Sequence, residues 1–244
     1  LTRKTAEELR QELKMMLLNG QRVEAIHPNQ RTVQVNGRTL AYSKLVLATG
    51  ARAFIPPVAG DAHEEILTLN SLQEYLYLRE RMAYGERVLV IGGGLIGTEI
   101  AHDLAVAGKR VTVCDPSPYL LASLLPEFAA QRLSTVLRDL SCELMLNNTL
   151  EMLQRLPQGV RATFTRGEVR EFDHVICAAG LRPNIELAAQ AGLNVERGIV
   201  VDNQLRTSDS YIYALGDVAQ IEGRLWPFLQ PISQSAAALA KTLS

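Results

Sequence analysis

The hexapeptide Gly92-Gly93-Gly94-Leu95-Ile96-Gly97 limits what this chain can fold into more than any other segment. It follows the apolar run 88–91 directly. It opens a segment in which Ile96, Ile100 and Leu104 recur at helical spacing. A second apolar run, 111–114, comes next, and Asp115 ends it 18 positions after Gly97. Strand, glycine turn, helix, strand and terminal acid together form the dinucleotide-binding fingerprint of a βαβ unit. A glycine-rich turn alone carries little, because such turns are common; the flanking pattern is what makes this one specific.

Each position has a physical task. Gly92 permits the tight exit from the strand. Gly94 lacks a Cβ, so a pyrophosphate can approach the backbone. Gly97 lets the helix pack close to the sheet. The helix start, with Leu95 and Ile96, presents free N–H groups and the positive end of the macrodipole to the phosphates. Asp115 predicts NAD(H) over NADP(H). Its carboxylate accepts hydrogen bonds from the ribose hydroxyls, whereas a 2′-phosphate would face it as a like charge. At about 4 Å that repulsion is roughly 1 kcal/mol in water and about 4 kcal/mol at a half-exposed site. Residues 116–119 (Pro, Ser, Pro, Tyr) offer no cation to offset it.

From residue 87 the chain alternates strand and helix. Helices are expected at 95–107 and 126–137, and strands at 88–91, 111–114, 142–146 and 175–178. Residues 150–172 alternate in short polar-turned stretches and predict an antiparallel excursion. Before the fingerprint, 6–18 reads as an amphipathic helix stopped by Asn19-Gly20. Strands are expected at 23–26, 31–35 and 38–42, with Asn36-Gly37 as a type I′ hairpin turn. The run 45–48 shows no alternation, which suits a strand buried on both faces. Residues 71–84 predict a helix ended by Gly85. Toward the C-terminus, strands are expected at 199–201 and 212–214 and a helix at 228–243. Boundaries are expected near Gly85 and Pro183, giving segments 1–85, 86–184 and 185–244.

Composition narrows the function. A net charge of −1 gives no electrostatic case for nucleic acid or an anionic membrane, and no apolar run reaches the length of a membrane-spanning helix. The three cysteines, Cys114, Cys142 and Cys177, are too widely spaced for a zinc site or a disulfide framework. They read as buried thiols of a cytoplasmic protein, and no metal site is expected.

Three more segments have meaning together: Ala48-Thr49-Gly50, then Ala178-Ala179-Gly180-Leu181-Arg182-Pro183-Asn184, then Tyr213-Ala214-Leu215-Gly216-Asp217-Val218-Ala219. With the glycine turn between the first two, their order resembles the FAD-dependent pyridine nucleotide–disulfide oxidoreductase superfamily. The stretches 42–57, 67–71 and 227–231 are similar to its NADH:rubredoxin-type reductases. The resemblance implies an α/β fold: a Rossmann-like NAD-binding domain inserted into an incomplete FAD-binding domain of the glutathione reductase-like type. It also implies FAD and NADH as cofactors. Ala48, Thr49, Gly50, Gly216 and Asp217 would then lie on FAD, and Gly180 on the nicotinamide path. Glu99 would lie near the nicotinamide as the catalytic candidate. Its competing reading is a solvated helix face shared with His102 and Asp103. The helix after Phe228 would point its N-terminus at the flavin. The implied partner is the rubredoxin domain of a flavodiiron nitric oxide reductase. Other implied outcomes are a ferredoxin reductase, an NADH oxidase, or a non-enzymatic NAD-sensing module.

The chain opens at Leu1 rather than Met, and the superfamily's own FAD-phosphate glycine turn does not precede Ala48. The expectation is an internal piece of a longer enzyme, inactive by itself and holding little FAD.

Overall fold

The computed structural model describes residues 4–243. It divides into two units. One is formed by Leu1–Ala51 together with Pro183–Ser244, and the other is the inserted segment Arg52–Arg182.

The inserted unit is built on a five-stranded parallel sheet. Its order is Ile66–Thr68, His174–Cys177, Arg87–Ile91, Arg110–Asp115 and Glu143–Leu146. Both faces of the central strands are covered, so they are apolar without alternation. Val88, Leu89 and Val90 have no exposed surface. Each such side chain contributes about 1.5–3 kcal/mol on burial. Val88, Val90, Val111 and Val113 meet the helix side of the sheet, with Ile100, Ala101 and Leu137. Leu89, Ile91, Val175 and Cys177 meet the other side, which is covered by an antiparallel meander of Leu150–Arg155, Val160–Phe164 and Val169–Phe172. Phe164 and Phe172 pack edge to face there, 6.4 Å apart. The antiparallel excursion read from residues 150–172 is therefore the second cover of the five-stranded sheet.

A boundary was expected near Gly85, but the inserted unit starts at Arg52. The reason is an edge strand that three residues are too few to announce. Ile66–Thr68 pairs with His174–Cys177, and the helix Leu72–Arg81 packs beside it through Leu78.

The strand Arg87–Ile91 is anchored at its start by Asp173. This carboxylate accepts from the N–H groups of Glu86 and Arg87 at 2.8 and 2.9 Å, and from the Arg87 guanidinium at 2.8 Å. The guanidinium, and then the two N–H groups, hold the Asp173 carboxyl well below the usual carboxylate range. Asp173→Asn should lower stability by about 1.5–3 kcal/mol at neutral pH, read by urea unfolding. A depressed carboxylate contributes fully above its unfolded pKa of about 3.9 and loses that contribution as pH falls toward its folded value. The gap between parent and variant should therefore narrow below about pH 4. A gap that stays constant down to pH 2 would mean that the charge plays no part.

In the other unit, Val23–His27, Thr32–Val35 and Arg38–Ala41 form an antiparallel meander. Val35 pairs with Arg38 across a two-residue turn, with Asn36 and Gly37 at φ 47° and 73°, as the type I′ reading requires. Leu45–Leu47 pairs in parallel with Ile212–Ala214, and Ile199–Val201 with Ala219–Ile221. Ile26, Leu47, Ile199, Ile212 and Val218 form the core, against which Leu239 of the helix Leu229–Leu243 packs.

Two expectations fail in this unit. The first helix is Ala6–Leu13, ended by Lys14 at φ 51°, not 6–18. None of its residues is buried, so no packing supports a further turn. The strand after Lys44 is not buried on both faces. Val46 is 37% exposed, and the strand has one neighbour among the described residues.

Candidate dinucleotide site

The glycine turn leaves the carboxyl end of Arg87–Ile91, where open α/β sheets bind ligands. Gly92 has φ 110°, and a Cβ there would lie 2.5 Å from the Ala178 carbonyl oxygen. A Cβ on Gly97 would lie 1.9 Å from the Gly92 carbonyl oxygen. These two glycines are demanded by the fold. Gly94 is different. It sits at φ −77° as the N-cap of the helix Leu95–Val106, and nothing lies within 4 Å of where its Cβ would be. No side chain caps this helix, so its first-turn N–H groups have no side-chain partner. A cradle that a Cβ would fill, over uncapped N–H groups, fits a pyrophosphate.

Asp115 is held in place beside the turn. Its Oδ2 accepts from the Gly93 N–H at 2.6 Å, and its Oδ1 from the Ser117 N–H at 2.7 Å. Each oxygen keeps a further lone pair for a ribose hydroxyl. The half-exposed carboxylate is thus oriented by the backbone.

The helix stripe differs in one position from the sequence reading. Ile100 is buried, whereas Ile96 is 42% exposed beside the exposed Leu95. Both stand on the first turn of the helix. Glu99 is exposed and unpaired among the described residues, while His102 pairs with Asp103 at 3.2 Å. Gly180 has φ 111° with open space at its Cβ position, and its carbonyl accepts from the Phe54 N–H at 2.9 Å.

Two neighbours of the turn escaped the sequence reading. Gly93 is a third constrained glycine, because its Cβ would lie 2.8 Å from Leu120 Cδ2 and 3.2 Å from Asp115 Cβ. Leu121, buried and at φ 55°, donates its N–H to the Gly93 carbonyl at 2.8 Å. The run Pro-Tyr-Leu-Leu after Ser117 is too short to show periodicity, so no signal marked it.

Another groove in this unit lies elsewhere. It measures about 410 Å³ and is lined by Tyr77, Glu80, Arg81, Tyr84 and His174. It opens at the amino ends of Arg87–Ile91 and His174–Cys177, the end of a parallel sheet that does not bind nucleotides.

In the other unit, Gly50 and Gly216 have φ 65° and 80° with open space at their Cβ positions. Asp217 is half-buried and accepts no hydrogen bond from the described residues. Thr49 is engaged locally. Its hydroxyl donates to the Asn184 carbonyl at 2.9 Å, and Asn184 Nδ2 donates back to the Thr49 carbonyl at 2.8 Å. Ala48 is exposed. A hollow beside Gly216 is lined by Trp226, Pro231, Ile232 and Ser235, which brings the start of the helix Leu229–Leu243 next to the Gly216-Asp217 turn.

The cysteines are buried and free. Burial first, then Asp115 and Glu168, pushes the Cys114 thiol up to about 12, and burial raises Cys142 and Cys177. None is a thiolate nucleophile at neutral pH. Among the described residues, no helix is long and apolar enough to cross a membrane.

The family model described as pyridine nucleotide-disulphide oxidoreductase matches residues 2–238. The nitric oxide reductase FlRd-NAD(+) reductase of Vibrio vulnificus (strain CMCP6) is 50% identical over 240 residues, covering 98% of this chain and 63% of that protein. The protein of the same name from Escherichia coli (strain K12) is 46% identical, covering 100% of this chain and 64% of its own length. The chain thus spans just under two thirds of the length of these relatives. Among solved structures, the ferredoxin reductase for the CYP199A2 system from Rhodopseudomonas palustris is similar at a TM-score of 0.94 and 29% identity, covering 100% of this chain and 62% of that one. The chain belongs to the pyridine nucleotide-disulphide oxidoreductase family.

Proposed function

We propose that this chain is the nucleotide-binding core of an NADH-dependent flavoprotein reductase. It passes electrons from NADH through FAD to a rubredoxin-type iron centre, that of a flavorubredoxin in anaerobic nitric oxide reduction. The carrying observation is the glycine turn. It has open space over Gly94 and a backbone-held Asp115, in a chain half identical to FlRd-NAD(+) reductases.

The residues divide the work. The N–H groups at the start of Leu95–Val106 bind the NADH pyrophosphate, and Asp115 binds the adenosine ribose. Gly180, with no Cβ, leaves room for the nicotinamide, and Glu99 stands on the same helix as the phosphate site. Gly50, Gly216 and Asp217 hold FAD. The two glycines leave room for close approach, and Asp217 offers an unpartnered acceptor to hydroxyls. Thr49 serves indirectly, by fixing the Asn184 segment. Bound FAD supplies the ability to take electrons as a pair and release them singly. The macrodipole of the helix Leu229–Leu243 favours negative charge at its N-terminus by roughly 0.3–2 kcal/mol. Three buried, free thiols suit a reducing compartment, and we place the protein in the cytoplasm.

The test uses the full-length protein. Rapid mixing with NADH should bleach the flavin absorbance, and NADPH should do so far more slowly. A rubredoxin domain, a ferredoxin and oxygen are then offered separately as acceptors. Preference for the rubredoxin domain is expected. No bleaching by NADH would end the reading as a reductase, and preference for ferredoxin or oxygen would move it within the family.

A further inference from the structure

The Gly93 peptide is used on both sides. Its N–H donates to Asp115 Oδ2 at 2.6 Å, and its carbonyl accepts the Leu121 N–H at 2.8 Å. Leu121 holds a left-handed backbone that a leucine adopts at a cost, φ 55°, while 8% exposed. Such strain persists only where the surroundings over-determine it. Here the surroundings are visible. Leu120 is fully buried, with its Cδ2 at 2.8 Å from the place where a Gly93 Cβ would be. Leu124 and Leu125 donate their N–H groups back to the Leu121 carbonyl. The loop after Asp115 is thus folded onto the middle glycine of the turn, and that glycine grips the carboxylate.

We infer that Gly93 is a positioning residue for nucleotide selectivity: its N–H, locked by the loop Leu120-Leu121, fixes the Asp115 carboxylate where the adenosine ribose arrives. The inference rests on the reading of this turn as an NAD site. It assigns selectivity to a position that the three-glycine fingerprint leaves open to any residue. Gly93 is not required by a left-handed backbone, since its φ lies outside that region. The demand for glycine comes from Asp115 Cβ and Cγ at 3.2 and 3.4 Å, and from Leu120. An added methyl must displace the leucine, the carboxylate, or both.

The test is isothermal titration of this chain with NAD+ and NADP+. The proteins compared are the parent, Gly93→Ala, and Gly93→Ala with Leu120→Ala. In Gly93→Ala, NAD+ affinity should fall about tenfold, the scale of one charge-assisted hydrogen bond to the ribose. NADP+ affinity should stay nearly unchanged, so the ratio of the two falls by the same factor. The double variant relieves the leucine contact and leaves the carboxylate contact, so its ratio should stay low. An equal loss for both nucleotides would show a distorted turn rather than a displaced carboxylate, and would overturn the inference. Recovery of the ratio in the double variant would overturn it too. A parent that binds neither nucleotide would fail at the earlier step, as a site that is not for NAD, and the inference would fall with it.

Discussion

Gly97→Val should abolish NAD+ binding and lower the melting temperature of the chain by roughly 10 °C or more, whereas Gly94→Ala should abolish binding and leave the melting temperature unchanged. The two glycines stand three positions apart in one motif, yet the structure gives them different tasks. A Cβ on Gly97 would lie 1.9 Å from the Gly92 carbonyl oxygen, 3.0 Å from its carbon and 3.4 Å from Ala178 Cβ. The obstacle is backbone, and that backbone cannot yield cheaply. Gly92 is pinned by its N–H to the Cys114 carbonyl at 2.8 Å and by its own contact with Ala178. The helix must move instead, which pulls Ile100 and Ala101 off Val88 and Val113. Overpacking of this kind costs typically 1–3 kcal/mol, and a valine at so short a contact should exceed about 3 kcal/mol. Gly94 meets nothing within 4 Å and has a φ that alanine adopts freely. Its methyl group occupies only the space over the helix start. Thermal melts with and without NAD+ separate the cases, because a ligand raises the melting point of a protein that binds it. Parent protein should gain stability with NAD+, Gly94→Ala should not, and Gly97→Val should start low and also fail to gain. Equal melting points for Gly97→Val and parent would remove the packing argument.

The same contrast explains what could be read from the residues alone. Spacing exposed the fingerprint because glycine, apolar run and acid recur at fixed distances imposed by strand and helix geometry. The parallel strands were legible for the same reason: a strand covered on both faces is apolar throughout, as 88–91 is. That rule misled at 45–48, where apolar composition stood without full cover and Val46 is exposed. Allegiance was harder to see than structure. Ile66–Thr68 is three residues long, and only its pairing with His174–Cys177, over a hundred residues later, assigns it to the nucleotide sheet. Local sequence carries no record of such a partner, so the break at Gly85 looked more like a boundary than the one at Arg52. The loop on Gly93 was invisible on different grounds. Its decisive features are a left-handed leucine and a buried methyl contact, both created by tertiary packing, and neither residue type signals them.

Asp115→Asn should cost the site most of its ability to distinguish NAD+ from NADP+. The preference expected of the parent has two sources, and the substitution removes both. The first is charge. A carboxylate about 4 Å from a 2′-phosphate repels it by roughly 1–4 kcal/mol depending on exposure, which is about fivefold to several-hundredfold in the ratio of dissociation constants. No arginine or lysine among residues 116–119 reduces that figure. The second is orientation. Gly93 N–H and Ser117 N–H each take one carboxylate oxygen. An amide has a single oxygen, so one of the two N–H donors must face an NH2 group, and the side chain loses its fixed placement. NAD+ affinity should therefore fall as NADP+ affinity rises, with the two curves approaching each other. Asp115→Glu keeps the charge but lengthens the arm. It should weaken NAD+ while still rejecting NADP+, which isolates the electrostatic part. Titration of this chain at fixed ionic strength measures all four constants, and salt should compress the difference in the parent more than in Asp115→Asn. If Asp115→Asn kept the parent ratio, the carboxylate would be a structural tie for the glycine turn, and the preference for NADH would have to come from residues beyond it.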